Sequence, residues 1–304
     1  MGSVYAGLLA AAGHEVAAVD VNAEHVEAIR ERGLRVSGAR GERLGGIRAT
    51  TSAADLNVVE LLVVATKAMD AGAAAESARP LIGEDTTVLT IQNGLGAADA
   101  VAEAVAEPQL LVGVAGGFGA SLVEPGHAHH HGMELVRLGE RSGRVTARCE
   151  RIADVWREAG FAVRTYDDVN RLLWEKLICN ACYAGVGGLL ELTIGGVIDN
   201  PEAWSVARRC AQEALDVGRA CGVALEIDDC AAYVRDYGVP IADARPSLLL
   251  DLLAGKPTEV EWINGSVVRR GAALGVPAPA NELITTLVLA KQRGRRHSLR
   301  AVGN

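Results

Sequence analysis

Asp20 closes the short apolar run 16–19 and stands just before Asn22, a residue suited to start a helix that Gly33 would stop. A carboxylate at the carboxyl end of such a strand can accept hydrogen bonds from the free 2'-hydroxyl of an adenosine ribose and repels a 2'-phosphate. Asp20 therefore favours NAD over NADP. The plainer alternative makes it a helix-start residue only. Lys67 and Asn93 fall at equivalent places, after the apolar runs 59–65 and 87–91, and the second run opens into Gln92-Asn93-Gly94-Leu95-Gly96. Farther on, Lys176 and Asn180 are four residues apart and share one helical face, just behind Trp174 and Glu175. Glu259 follows Pro257, which is well placed in the first turn of a helix over 257–274. Val260, Ile263 and Val267 form that helix's buried stripe, and Gly275 and Pro277 end it. There the positive end of the helix dipole favours a carboxylate. Taken singly, the lysine reads as a solvated side chain and the glutamate as charge complementation.

The runs 16–19, 59–65, 87–91 and 110–115 alternate with helical segments, a pattern that predicts a parallel sheet with helices on both faces. In such sheets ligands bind at the carboxyl ends of the strands, where Asp20, Lys67 and Asn93 all fall. A last strand at 161–166 precedes a helical remainder over 169–190, 201–220, 257–274 and 282–293. The expected architecture is an α/β Rossmann-type, doubly wound domain at 1–166 followed by an all-α domain at 167–304. Gly185, Gly187 and Gly188 interrupt the first of those helices, where each costs up to about 1 kcal/mol, so something packs closely against them, a ligand among the candidates.

The chain opens with Met1-Gly2-Ser3 running into a helix over 4–12. A dinucleotide-binding unit begins with a strand and Gly-x-Gly-x-x-Gly, and an acidic residue follows about 20 positions on. Gly2 fits the third glycine, where helix packs on strand, and Asp20 fits the acid. Gly2 and Ser3 join Asp20, Lys67 and Asn93 as expected cofactor contacts. The first strand and the first two glycines are missing, so the native product is expected to start upstream of Met1. The alternative places Gly2 in a disordered start.

Composition narrows the function classes. The 304 residues are 49% hydrophobic and 22% charged, with a net charge of -8 and only 4% aromatics. No general field attracts nucleic acid or anionic lipid, and an aromatic stacking platform is excluded. No apolar stretch is long enough to cross a bilayer and no signal-peptide pattern opens the chain, so the default compartment is the cytoplasm. The six cysteines, Cys179-x-x-Cys182 included, read as reduced and buried, with no metal expected. His127, His129 and His131 alternate as the wet face of a strand.

Five segments in order give the chain a resemblance to the ketopantoate reductase (2-dehydropantoate 2-reductase) family. They are Met1-Gly-Ser-Val-Tyr-Ala-Gly, Ala65-Thr-Lys67, Ile91-Gln-Asn-Gly-Leu-Gly, Trp174-Glu-Lys176 with Asn180, and Lys256-Pro-Thr-Glu-Val-Glu-Trp-Ile-Asn-Gly continued by Leu274-Gly-Val-Pro-Ala-Pro-Ala-Asn281. The resemblance implies a Rossmann domain joined to a helical domain of the 6-phosphogluconate dehydrogenase kind, with the active site in the cleft between them. It implies NADP, against the NAD that Asp20 favours, and reduction of ketopantoate to pantoate in pantothenate biosynthesis. Lys176 matches the catalytic lysine, which gives a proton to the keto oxygen as hydride arrives. Glu259 matches the acid that orients the substrate hydroxyl. Asn93 matches a residue between nicotinamide and substrate, Lys67 a cofactor contact, and Asn180 and Ser247 substrate contacts. The chain departs from the family at Ala184, where a further asparagine is usual, and at Asp20-Val21, where many members carry a small residue and arginine. Two alternatives follow: reduction of another 2-keto acid, or a non-catalytic nucleotide sensor. The expected partner is a small 2-keto acid, and a homodimer is left open.

Overall fold

A computed structural model describes residues 1–116, 119–132 and 135–302, with side chains through Gly294. The chain forms two compact units: Met1–Gln92 with Ala97–Val169, and Asn93–Gly96 with the chain from Asn170 onward. The sequence-based division into 1–166 and 167–304 does not carry segment 93–96 across.

The first unit holds α1 (Gly2–Ala11), β1 (Ala17–Val19), α2 (Ala23–Arg32), β2 (Leu34–Gly38), β3 (Arg43–Gly45), β4 (Arg48–Thr50), β5 (Leu61–Val64), α3 (Ala71–Ser77), β6 (Thr87–Thr90), α4 (Ala97–Ala102), β7 (Leu110–Gly116), β8 (Gly119–Glu124), β9 (His127–Gly132), β10 (Leu135–Glu140), α5 (Ala147–Glu158) and β11 (Ala162–Tyr166). Local chemistry sets several of these bounds. The Asn22 side chain accepts the His25 N–H at 3.2 Å to cap α2, and Gly33, at φ +78°, stops it.

The main sheet runs β11-β10-β7-β6-β5. Strands β5, β6 and β7 are parallel, as expected, but β10 is antiparallel to β7. The reversal follows from the β8–β9 hairpin, which turns at Gly126 with φ +81° and pairs with β2 and β3 in a separate four-stranded sheet. On β9, His127 and His129 are half-buried and His131 exposed, while Ala128 and His130 face the core, which is the alternation the sequence predicts.

Strand β1 pairs with β4 alone, and β5 is the last strand of the main sheet. Leu61, Leu62 and Val63 of β5 are only half-buried, whereas all four residues of β6 are buried. Helix α1 packs close by: a Cβ on Gly2 would lie 3.3 Å from Ala65, and one on Gly7 would lie 2.4 Å from Val36. Behind it Tyr5, Trp156 and Phe161 form an aromatic core, the Tyr5 and Trp156 centroids 4.9 Å apart.

The second unit contains α6 (Val169–Leu190), α7 (Ile194–Asp199), α8 (Pro201–Ala220), α9 (Cys230–Gly238), α10 (Ser247–Leu253), α11 (Asn264–Leu274) and α12 (Pro279–Val302). Helix α6 is apolar nearly all round from Leu177 to Gly188 and forms the centre of this unit's core. A buried polar network joins it to its neighbours. Asn264 donates to the Ala181 carbonyl (3.1 Å) and to Asn281 (2.9 Å), and Asn281 donates to the Cys210 carbonyl (3.0 Å) and to Glu213 (2.8 Å). Glu213 also accepts the Ala280 and Asn281 N–H groups at the start of α12. No helix among the described residues is long and apolar enough to cross a membrane.

The α6 glycines pack against helices. A Cβ on Gly185 would lie 2.2 Å from Ile284 of α12, and one on Gly188 would lie 2.3 Å from Leu248 of α10. Gly187 faces Pro246 in the same way. Close helix packing therefore accounts for all three, and a ligand is not needed. Gly185→Ala overfills this contact and is expected to lower stability by about 1–3 kcal/mol without changing substrate preference, which denaturant titration and parallel kinetics would check.

Candidate active site

In the first unit, Asp20 follows β1, its N–H bonded to the Thr50 carbonyl at 3.1 Å. One carboxylate oxygen accepts the Asn22 N–H at 2.8 Å, and the side chain is otherwise exposed, beside a Val21 that is 97% exposed. The helix-start role and an outward-facing carboxylate thus coexist in one residue. Ser3, in the first turn of α1, is hydrogen-bonded to His25 Nε2 (3.1 Å), while His25 Nδ1 accepts the Gly126 N–H (2.9 Å). That bond requires a lone pair on Nδ1, so the ring is neutral with its proton on Nε2. Burial holds the His25 pKa below the usual histidine value, against the opposing pull of Asp20.

Lys67 leaves β5 through a turn fixed by Gln92, a buried residue that the sequence reading did not single out. The Gln92 amide donates to the carbonyls of Val64 (2.6 Å) and Thr66 (3.2 Å) and accepts the Thr90 hydroxyl. The carboxyl ends of β5 and β6 are thereby tied together one residue before Lys67 and one before Asn93. An amide directly after an apolar strand and directly before Asn-Gly was the available signal.

In the second unit, the Asn93 amide donates to Glu259 Oε2 at 3.2 Å, a direct contact between two expected site residues. Lys176 and Asn180 project one turn apart from α6, both half-buried among buried neighbours. Ser247 is the first residue of α10, exposed behind a buried Pro246. Ala184 is buried in the core.

One expectation is corrected here. The helix predicted from Pro257 begins at Asn264, so Glu259 lies in the turn before it and not in its first helical turn. The carbonyl of Glu259 accepts the Trp262 and Ile263 N–H groups, both at 3.0 Å, and Ile263 breaks the spiral with φ -97° and ψ -97°. Val260, Ile263 and Val267 are nevertheless buried as the apolar stripe predicts. The Asn93 amide and the turn therefore help orient the carboxylate, which does not sit in the first turn of a helix.

Cysteine chemistry finds no support. Cys149, Cys179, Cys182, Cys210 and Cys230 are buried and outside any disulfide, whereas Cys221 is exposed against expectation, and burial pushes the thiols of Cys210 and Cys230 up to about 12 and that of Cys182 well above its ordinary value. Among the described residues no group of three histidine, cysteine or acidic side chains is placed to hold a metal.

Comparison with known proteins gives the family. The family models described as "Ketopantoate reductase PanE/ApbA" and "Ketopantoate reductase PanE/ApbA C terminal" match residues 1–143 and 168–292. A 2-dehydropantoate 2-reductase of Archaeoglobus fulgidus is 31% identical over 294 residues, covering 97% of this chain and 95% of that one. The crystal structure of 2-dehydropantoate 2-reductase from Geobacter metallireducens superposes with a TM-score of 0.88 at 30% identity, covering 95% of this chain and 96% of that one. A ternary structure of D-mandelate dehydrogenase with NADH and anilino(oxo)acetate superposes with a TM-score of 0.89 at 26% identity, covering 97% and 96%.

Proposed function

Because the chain belongs to the ketopantoate reductase family, we propose that it reduces ketopantoate to pantoate, with NADH as the preferred cofactor and Lys176 and Glu259 as its catalytic residues. The observation that carries this reading is the hydrogen bond from Asn93 to Glu259 in the unit whose α6 presents Lys176 and Asn180 on one face.

The first unit fits a nicotinamide dinucleotide. The first amides of α1 have no acceptor within the helix, Gly2 brings that end of the helix close to Ala65, and the Asp20 carboxylate faces outward with one oxygen already oriented by Asn22. Asp20 would hold the adenosine ribose, Gly2 and Ser3 the pyrophosphate side, and Lys67 the remainder. When bound, the cofactor supplies the hydride.

The protein's own groups do the rest. The Lys176 ammonium donates a hydrogen bond to the substrate's keto oxygen and passes a proton from Nζ to that oxygen as it becomes an alkoxide. A cation there is worth more to the developing oxyanion than to the neutral ketone, which is the condition for lowering a barrier. Glu259, oriented by Asn93, accepts the substrate hydroxyl. Asn180 and Ser247 supply polar contacts that fix the remainder of the substrate.

Ala184 in place of the family's asparagine favours a second reading, a 2-keto acid with fewer hydroxyls than ketopantoate. Steady-state kinetics across a panel of 2-keto acids decides between the two. We expect the highest kcat/KM with ketopantoate; a tenfold preference for an unhydroxylated keto acid would replace it as substrate, and no turnover of any member would leave a nucleotide-binding protein.

A further inference from the structure

We propose that the peptide carbonyl of Trp262 is a positioning element of this site: by accepting the Leu95 N–H it holds segment 93–96 where Asn93 reaches Glu259. The inference rests on the reading of Asn93 and Glu259 given above.

In an uninterrupted helix the carbonyl of residue 262 would accept the N–H of Ser266. Here the Ser266 N–H turns back to Ile263 (3.1 Å), the Gly265 N–H goes to Val260 (2.9 Å), and the Trp262 carbonyl is released to accept the N–H of Leu95 at 2.9 Å. The late start of α11 and the anchoring of segment 93–96 are therefore one structural event. The approach is so close that Gly94 is the residue type that fits. Its φ is +81°, and an added Cβ would stand 2.1 Å from the Trp262 carbonyl oxygen and 3.0 Å from the Trp262 Cβ.

The result is a closed ring of contacts. Glu259 accepts the Trp262 N–H through its backbone carbonyl (3.0 Å), Trp262 accepts the Leu95 N–H (2.9 Å), and Asn93 donates back to the Glu259 carboxylate (3.2 Å). One five-residue turn thus carries both the acid and the hook for the segment that brings its amide partner. The ring also sets the Asn93 amide, since Nδ2 must face the carboxylate and Oδ1 is turned away as an acceptor. The turn itself is held from behind by the buried Val260 and by the Gln292 side chain, which accepts the Thr258 N–H at 2.8 Å. Gly94, Leu95 and Trp262 touch none of the reacting atoms in this account; they act through Asn93 and Glu259.

The test uses the full chain with two independent changes. Gly94→Ala introduces the excluded Cβ, and replacement of Leu95 by its α-hydroxy acid removes only the N–H. Both should lower kcat about a hundredfold and raise the ketopantoate KM, because displacement of a reacting group by about 1 Å costs that much. A role in folding alone would shift Tm and leave kcat and KM in place. Should Gly94→Ala fail to fold, the ester variant decides. Folded variants with kcat and KM within twofold of the parent overturn the proposal, provided Asn93→Ala and Glu259→Gln themselves lower turnover. If those two leave turnover unchanged, the site reading falls first and the positioning role with it.

Discussion

Lys176→Ala is expected to lower kcat by about a thousandfold and leave the dinucleotide Kd within twofold. The magnitude follows from the two tasks assigned to one group. Removing a general acid costs about 10²–10⁴ in rate, and removing one donor to a developing oxyanion costs about 10²–10³, but a single ammonium performing both acts once and the losses do not multiply. The separation of effects follows from the fold. Lys176 belongs to α6 in the second unit, whereas Gly2, Ser3, Asp20 and Lys67 belong to the first. Lys176→Arg keeps a cation but not a proton donor of suitable pKa, and its larger planar head needs room on a face whose neighbours are buried, so it recovers little of the lost rate. Single-turnover kinetics with cofactor bound at saturation would measure the chemical step alone. A rate within tenfold of the parent would remove Lys176 from the mechanism and send the search for the proton donor to another side chain.

The local features of the site were legible in the sequence; the long-range ones were not. Helices α6 and α8 run over 169–190 and 201–220, as the apolar pattern and Pro201 predict, because caps and periodicity act within a few residues. The Asn22 cap and the Gly33 stop are of the same kind. Glu259 was found, but its setting was misread: the pattern from Pro257 is helical in its apolar stripe, and only a hydrogen bond to Leu95, far upstream, shows that the Trp262 carbonyl leaves the helix. Strand β10 is not announced at all by the sequence, since Leu135–Glu140 alternates without a clear apolar run, and its antiparallel place beside β7 depends on the β8–β9 hairpin that reverses the chain. Gly185, Gly187 and Gly188 announced close approach but not of what; Ile284, Pro246 and Leu248 come from segments distant in sequence. Gln92 was passed over because the two carbonyls its amide satisfies, Val64 and Thr66 at the end of β5, lie far from it in sequence.

The unaltered protein is expected to bind NADH at least tenfold more tightly than NADPH, and Asp20→Ala to weaken NADH while narrowing that ratio. Two opposed interactions at one carboxylate produce both effects. Hydrogen bonds from the ribose hydroxyls to a charged acceptor contribute about 1.5–3 kcal/mol, so their loss weakens NADH by about ten- to a hundredfold. A 2'-phosphate brought to about 4 Å meets a repulsion of about 1 kcal/mol per unit charge even at the dielectric constant of water, which is enough for tenfold or more with a dianion. Asp20 is exposed, so the repulsive part should shrink as salt rises while the hydrogen-bonded part persists. NADPH affinity should therefore improve relative to NADH between low and high ionic strength in the parent, and not in Asp20→Ala. Arginine, usual in the family at the next position, is here Val21, 97% exposed, and offers no countercharge to a phosphate. Fluorescence titration of both dinucleotides into both proteins at two salt concentrations separates the two interactions. Tighter binding of NADPH by the parent would mean that the cofactor's ribose lies elsewhere and that Asp20 serves α2 alone.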